Sequence, residues 1–424
     1  MIFSEFRKSD LLKNTSILIS GTAIAQLIPI ALETVLRRYF TPETFGAYSV
    51  YLSLIGILIV ISSLKYELAI ILPGNDKESA NILFLSVFIN LIFNFLVFVI
   101  IVLYRNSIMQ FLNLSEEYKQ YIFLVPLGTS LFGLYQVFNY WLIRKKSFFN
   151  ISANKFIRRG SEGVAKTGFA FIGIRQGLVW GDIIGHVLNL LSGILQSYKR
   201  NLKITDLSWV KIKYVIRKYN EYPKFNLVPG LMSACSFLLP AIFINKYYSS
   251  AYAGYFDLSK LVLSIPLALV ATSISNVLLQ RIAEKYRKKE SIVKELIPIL
   301  GVVLIIAITE VIVIIFWGER LFTIFFGENW ISSAKISILL VWSYAISFVL
   351  GSFSSLYISM KKIKLLSIWQ LVYFLSILSL IFYKNLDFFQ FLHIFLGLEI
   401  FNYFLSAIFI FVILYNYENK VKNL

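Results

Sequence analysis

Between Ile82 and Leu103 the chain runs for 22 residues without a charged side chain. Coiled as an α-helix at 1.5 Å per residue, such a run spans about 33 Å, enough to cross a hydrocarbon core of about 30 Å. The strands of an outer-membrane barrel alternate polar and apolar residues over about 10 positions, so a barrel is excluded. Apolar runs of about 20 residues read against charged breaks give eleven more candidates. The twelve lie at 15–36, 45–72, 80–104, 120–143, 156–174, 178–197, 226–245, 254–277, 295–317, 335–359, 365–383 and 388–415. The pattern predicts an all-α integral membrane protein with about twelve transmembrane helices. Composition agrees: hydrophobic residues are 58% and charged residues 15%, against about 25% charged in an ordinary globular chain. Near the N-terminus, Ala23-Ile24-Ala25 has the small-x-small form of a signal cleavage site. The apolar run continues through Leu36, however, and is read as an uncleaved first span.

The net charge of +18 would suggest a nucleic-acid partner in a soluble chain. Here the loops account for it. With the N-terminus in the cytoplasm, the cytoplasmic segments hold 29 of the 41 Lys and Arg residues, and the outer loops hold 9. This is the positive-inside bias, and it predicts both termini in the cytoplasm and no nucleic-acid partner. Basic runs such as Arg144-Lys145-Lys146 and Arg287-Lys288-Lys289 follow from topology, with anionic lipid contact as a further role.

Two hairpins resemble each other. Pro29 precedes Arg38-Tyr39-Phe40 and then Gly46; Pro240 precedes Lys246-Tyr247-Tyr248 and then Gly254. Each triplet begins eight residues before its glycine. With the longest basic loop (198–225) in the middle, this predicts two six-helix lobes, 1–200 and 201–424, enclosing a central cavity. An even number of spans per lobe makes a parallel repeat, an arrangement suited to alternating access.

Ionisable residues within a span are costly unless paired or facing water, so each is a functional candidate. Lys166 lies about nine residues, roughly 13 Å, from the outer end of its span. That span is rich in glycine. Lys166 either faces a cavity or pairs with Glu162 at i−4 as a structural contact. Lys65 lies about 10 Å from the inner end of the second span, where snorkelling to the interface competes with a cavity role. Lys260 has Asp257 at i−3. Arg37, with Glu33 one turn earlier, is a cation on the side that the charge bias disfavours. Asp182 and His186 stand at i,i+4 beside Gly177, Gly181 and Gly185, whose spacing allows close helix contact. They form either a pair titrating near neutral pH or a buried hydrogen-bonded pair. Glu310 is a lone acid in the ninth span and a candidate for ion coupling or packing.

No catalytic constellation is present. Two His, one Cys (Cys235) and no Walker-type loop leave no metal cluster, disulfide framework or nucleotide site. No cofactor is expected; a proton or sodium gradient, or the substrate's own supply and removal, is left as the energy source.

Several segments resemble the bacterial polysaccharide-repeat flippases of the multidrug/oligosaccharidyl-lipid/polysaccharide exporter superfamily. Asn14-Thr15, Gly21-Thr22-Ala23-Ile24-Ala25-Gln26 and Pro29 resemble that family's first span, and Thr41-Pro42-Glu43-Thr44-Phe45-Gly46-Ala47-Tyr48 its first outer loop. Lys65-Tyr66-Glu67 through Leu72-Pro73 resembles the end of its second span. Trp141-Leu142-Ile143-Arg144-Lys145-Lys146 is similar to the loop after its fourth span, and Gly254-Tyr255-Phe256 through Pro266-Leu267 to its eighth. The related lipid II flippases carry a cavity arginine where Lys260 stands, a change that keeps charge but loses bidentate geometry.

The resemblance implies transfer of an undecaprenyl-diphosphate-linked oligosaccharide from the cytoplasmic to the outer leaflet, for O-antigen or another surface polysaccharide. Lys166, Lys65, Lys260 and Arg37 would then bind the diphosphate. Glu33, Glu67, Glu162, Asp182, His186, Asp257 and Glu310 would serve ion coupling or pairing. A glycan polymerase and a chain-length regulator are the expected partners. A multidrug cation antiporter on the same fold is the first alternative, although three in-span lysines oppose it. A membrane glycan polymerase is the second, opposed by the short outer loops.

Overall fold

A computed structural model describes residues 31–422. Helix follows helix, and no strand occurs among the described residues. A first helix, α1, covers 31–39. The succeeding helices are α2 (Pro42–Ser62), α3 (Asp76–Leu112), α4 (Lys119–Arg144), α5 (Phe148–Ile172), α6 (Gly177–Lys199) and α7 (Trp209–Lys218). Then come α8 (Glu221–Tyr247), α9 (Ser250–Lys288), α10 (Val293–Phe326), α11 (Ile331–Ser352), α12 (Ile363–Leu378) and α13 (Phe388–Lys422). A one-turn helix, Ser355–Ser359, follows α11.

Ten helices among the described residues are long and apolar enough to cross a membrane; the protein is a multi-pass membrane protein. The expected first span at 15–36 lies mostly outside the described residues. The expected fifth corresponds to α5, whose 25 residues are long enough but carry Lys155, Arg158, Arg159, Glu162 and Lys166. Those charges make it too polar to face lipid all round, and its stability therefore depends on what it packs against.

The expected span at 45–72 is not one helix. α2 begins at an N-cap, Thr41, whose hydroxyl accepts from the Thr44 backbone N–H at 3.4 Å, with Pro42 in its first turn. It stops at Ser62. Leu64 and Lys65 then adopt positive φ (50° and 63°) and a 3-10 turn covers Tyr66–Ile71. Lys65 thus sits at a helix break and not within a continuous span, as the sequence suggested. α3 starts at Asn75, which accepts from the Glu78 N–H at 2.8 Å. Both members of the hairpin resemblance end a helix in their basic-aromatic-aromatic triplet, with a two-residue break before the next helix (40–41 and 248–249).

The chain divides into two compact units. One extends to Leu238 and includes Ser249–Ala251; the other holds Leu239–Tyr248 and everything from Tyr252 onward. In the first, Ile82, Leu85, Val137, Trp141 and Tyr66 form a core that also receives Ile212 and Val215 of the short basic helix α7. In the second, Leu278, Ile282, Leu356, Tyr357 and Ile410 pack together, and Glu418 caps α10 by accepting from the Ile292 and Val293 N–H groups at 2.7 and 3.1 Å.

Candidate functional site

The charges of α5 are accommodated by glycines on α6. A Cβ added at Gly181 would stand 2.4 Å from Lys166 Cγ and 2.9 Å from its backbone nitrogen; at Gly185 it would stand 2.8 Å from Glu162 Cβ. Only bare backbone at these two positions lets the helices approach so closely. The contact they permit is lined by ions.

Arg158, Glu162 and Lys166 recur every four residues and so share one face of α5. Lys166 Nζ donates to Glu162 Oε1 at 2.6 Å and to Tyr48 Oη of α2 at 2.8 Å. Arg159 Nη1 donates to the other Glu162 oxygen at 3.1 Å. Lys166 and Glu162 are both buried. The structural pairing with Glu162, one of the two alternatives for Lys166, is therefore present. One turn away, Asp182 and His186 of α6 are each 1% exposed, with Asp182 Oδ1 3.6 Å from His186 Nε2. That pair is not a direct hydrogen bond: Nε2 instead faces Arg158 Nη2 at 3.1 Å. A guanidinium can only donate, so Nε2 is the acceptor in that contact. Tyr51 Oη donates to Asp182 Oδ2 at 3.3 Å, and the Arg158 guanidinium lies 5.0 Å over the Phe132 ring. Three cations and two carboxylates thus meet inside the first unit.

Four of the residues singled out from the sequence (Lys166, Glu162, Asp182 and His186) come together here. The others do not. Arg37 is buried, donates from Nε to Glu33 Oε2 at 2.7 Å and lies over the Phe45 ring at 3.8 Å. Lys65 approaches Glu67 Oε1 at 3.9 Å, while Ser63 donates to Oε2 of that buried glutamate at 2.6 Å. Lys260 belongs to the second unit, within electrostatic reach of Asp257 and of Glu399 on α13. Glu399 accepts from Tyr373 of α12 at 2.5 Å. Glu310 on α10 stands apart, with one buried oxygen lacking a hydrogen-bond partner. Among the described residues no group of His, Cys, Asp or Glu is arranged to hold a metal ion.

Sequence reasoning missed Arg158, Arg159, Tyr48 and Tyr51. At the start of the run 156–174, both arginines count with the cytoplasmic loop they border in the charge tally, although the four-residue spacing to Glu162 and Lys166 puts Arg158 on the same face.

A family model described as polysaccharide biosynthesis protein matches residues 35–335, which includes the whole cluster. The chain belongs to the polysaccharide biosynthesis protein family. No curated protein matches it in sequence. Among solved structures, this family member is similar to the lipid II flippase MurJ in an inward closed conformation, with 14% identity and a TM-score of 0.76 over 96% of this chain and 91% of that one. It is also similar to an inward-facing multidrug resistance MATE family transporter of the MOP superfamily (14% identity, TM-score 0.66, 94% and 95% covered). A third similar structure is the MATE multidrug transporter DinF-BH (16%, 0.62, 94% and 96% covered). At such identities the likeness is one of fold: the polysaccharide biosynthesis protein has the fold of these membrane transporters.

Proposed function

We propose that this protein is a flippase that moves undecaprenyl-diphosphate-linked oligosaccharide repeat units from the cytoplasmic to the outer leaflet of a bacterial inner membrane. The termini lie in the cytoplasm, transport proceeds by alternating access, and the product is O-antigen or another surface polysaccharide. A proton or sodium gradient drives the cycle, and a glycan polymerase and chain-length regulator take the exported unit. The observation that carries this reading is the cluster of buried Lys166 with the half-buried Arg158 and Arg159 on α5 of a polysaccharide biosynthesis protein.

A diphosphate headgroup cannot enter hydrocarbon unaided. Within a spanning helix, a cation that can exchange a carboxylate partner for a phosphate oxygen supplies the missing counter-charge through charge-assisted hydrogen bonds. Glu162 holds Lys166 and Arg159 in place until the diphosphate competes for them. The multidrug alternative calls for an acidic or apolar site for cations, whereas here cations outnumber carboxylates. The test is deletion of the gene in its host. Lipid-linked repeat units should accumulate on the cytoplasmic leaflet and surface glycan should disappear, both reversed by the wild-type gene. Normal surface glycan in the deletion strain would refute the proposal.

A further inference from the structure

Arg158 has two neighbourhoods. Besides facing His186, it lines a cavity of about 370 Å³ within the first unit. Gln136, Asn139 and Tyr140 of α4, Lys155 and Arg158 of α5, and Asn189 of α6 form its polar wall. Asn189 is 1% exposed, yet its Oδ1 has no hydrogen-bond partner, and neither has Arg158 Nε. Buried polar atoms are almost always paired, so the wall that Asn189 and Arg158 form has hydrogen-bonding capacity left over.

The lining states the chemistry of a ligand that would use it. A side-chain amide presents a donor and an acceptor together, and a hydroxyl group, itself both donor and acceptor, answers it. Three amides therefore suit a polyhydroxylated ring. Tyr140 offers a flat face for the C–H side of such a ring. Lys155 and Arg158 add positive charge, and no carboxylate among the described residues lines the cavity, which rejects cationic ligands and favours an anionic substituent. The volume is at the lower end of the roughly 300–1,000 Å³ typical of small-molecule sites, room for one sugar and its phosphate and not for a whole oligosaccharide.

We propose that this cavity is the subsite for the first sugar of the lipid-linked unit and the phosphate attached to it. Gln136, Asn139 and Asn189 bind the sugar hydroxyls, and Arg158 with Lys155 holds the phosphate. The proposal rests on the flippase reading and makes the cavity, beside the Lys166 cluster, the place where sugar identity is sensed. Arg158 joins the two, because the same guanidinium borders the cavity and faces His186.

The test uses the full-length protein in detergent micelles, titrated with two kinds of probe and followed by native mass spectrometry. One probe is undecaprenyl diphosphate; the other is undecaprenyl diphosphate carrying a single hexose or N-acetylhexosamine. The wild type should bind at least one sugar-bearing probe more tightly than the bare diphosphate. The double variant Gln136→Leu, Asn139→Leu, at partly exposed positions where folding is least at risk, should weaken that probe about 10-fold. Bare undecaprenyl diphosphate should change less than 2-fold. Arg158→Gln should weaken both kinds of probe. A wild type with no preference for sugar, or a double variant that loses both probes equally or neither, overturns the subsite. A wild type that binds no probe overturns the flippase reading itself.

Discussion

Replacing Lys166 separates a structural pair from a substrate-binding one, and the geometry sets the expected size of each effect. Lys166→Ala leaves Glu162 buried with Arg159 as its remaining ionic partner at 3.1 Å. Breaking a buried ion pair by removing one member typically costs about 3–5 kcal/mol. The surviving arginine contact places this case near the lower figure, about 3 kcal/mol. That is enough to reduce the amount of folded protein in the membrane. Changing both partners, Glu162→Gln with Lys166→Gln, removes the buried unpaired carboxylate and leaves two amides able to bond each other and Tyr48; Arg159 loses its carboxylate but is 34% exposed to hydration, so the cost should fall to about 1 kcal/mol. Export behaves differently if Lys166 meets the diphosphate. Loss of a hydrogen bond to a charged group is worth about 1.5–3 kcal/mol, a drop of roughly 10- to 100-fold in transport. The double variant should therefore be present at wild-type abundance by immunoblot of membranes and still export little surface glycan. Lys166→Arg, which keeps the charge, should retain part of the export. Wild-type export by the double variant would show that the pair is only structural and refute the reasoning.

Three further outcomes are expected. Gly185→Leu should separate α5 from α6, because even a Cβ there meets Glu162 Cβ at 2.8 Å; overpacking of this kind costs about 1–3 kcal/mol, read as a lower unfolding temperature in detergent together with lost export. Cysteines placed at the exposed positions Lys146 and Lys288 should resist an impermeant thiol reagent applied from outside, whereas those at Glu116 and Lys384 should react; outer labelling at 146 would reverse the orientation. Glu418→Ala should uncap α10 at a cost of about 1 kcal/mol, a modest loss of thermal stability with export kept, and an unchanged melting profile would deny the cap its role.

The helices were legible in the sequence because a bilayer imposes a length and an apolar composition that no other environment demands. Their ends were less so. The break after Ser62 depends on Leu64 and Lys65 adopting positive φ, a conformation unusual for both residue types and carrying no mark in the hydropathy. Individual candidates at the site were legible too, since Lys166, Glu162, Asp182 and His186 are each expensive inside a membrane. Their convergence was not, because it requires α5 and α6 to meet at Gly181 and Gly185, a tertiary contact that glycine spacing permits but does not assign to a partner helix.

The arginines show why a correct rule concealed part of the answer. Counting basic residues by loop identifies orientation, but it places every cation near a span end in the topological tally and leaves none to explain by contact. Arg158 and Arg159 satisfied the count and were given no further role. Yet Arg158 lies two turns from Lys166 on the same helix face, and a stripe of Arg158, Glu162 and Lys166 on a helix that must pack against others cannot be left to lipid. A residue that serves orientation at one end of a helix can also be the nearest positive charge to a buried His–Asp pair, as Arg158 is. In a membrane chain the two questions, which side a cation belongs to and what its side chain touches, have to be put separately, because the bilayer answers only the first.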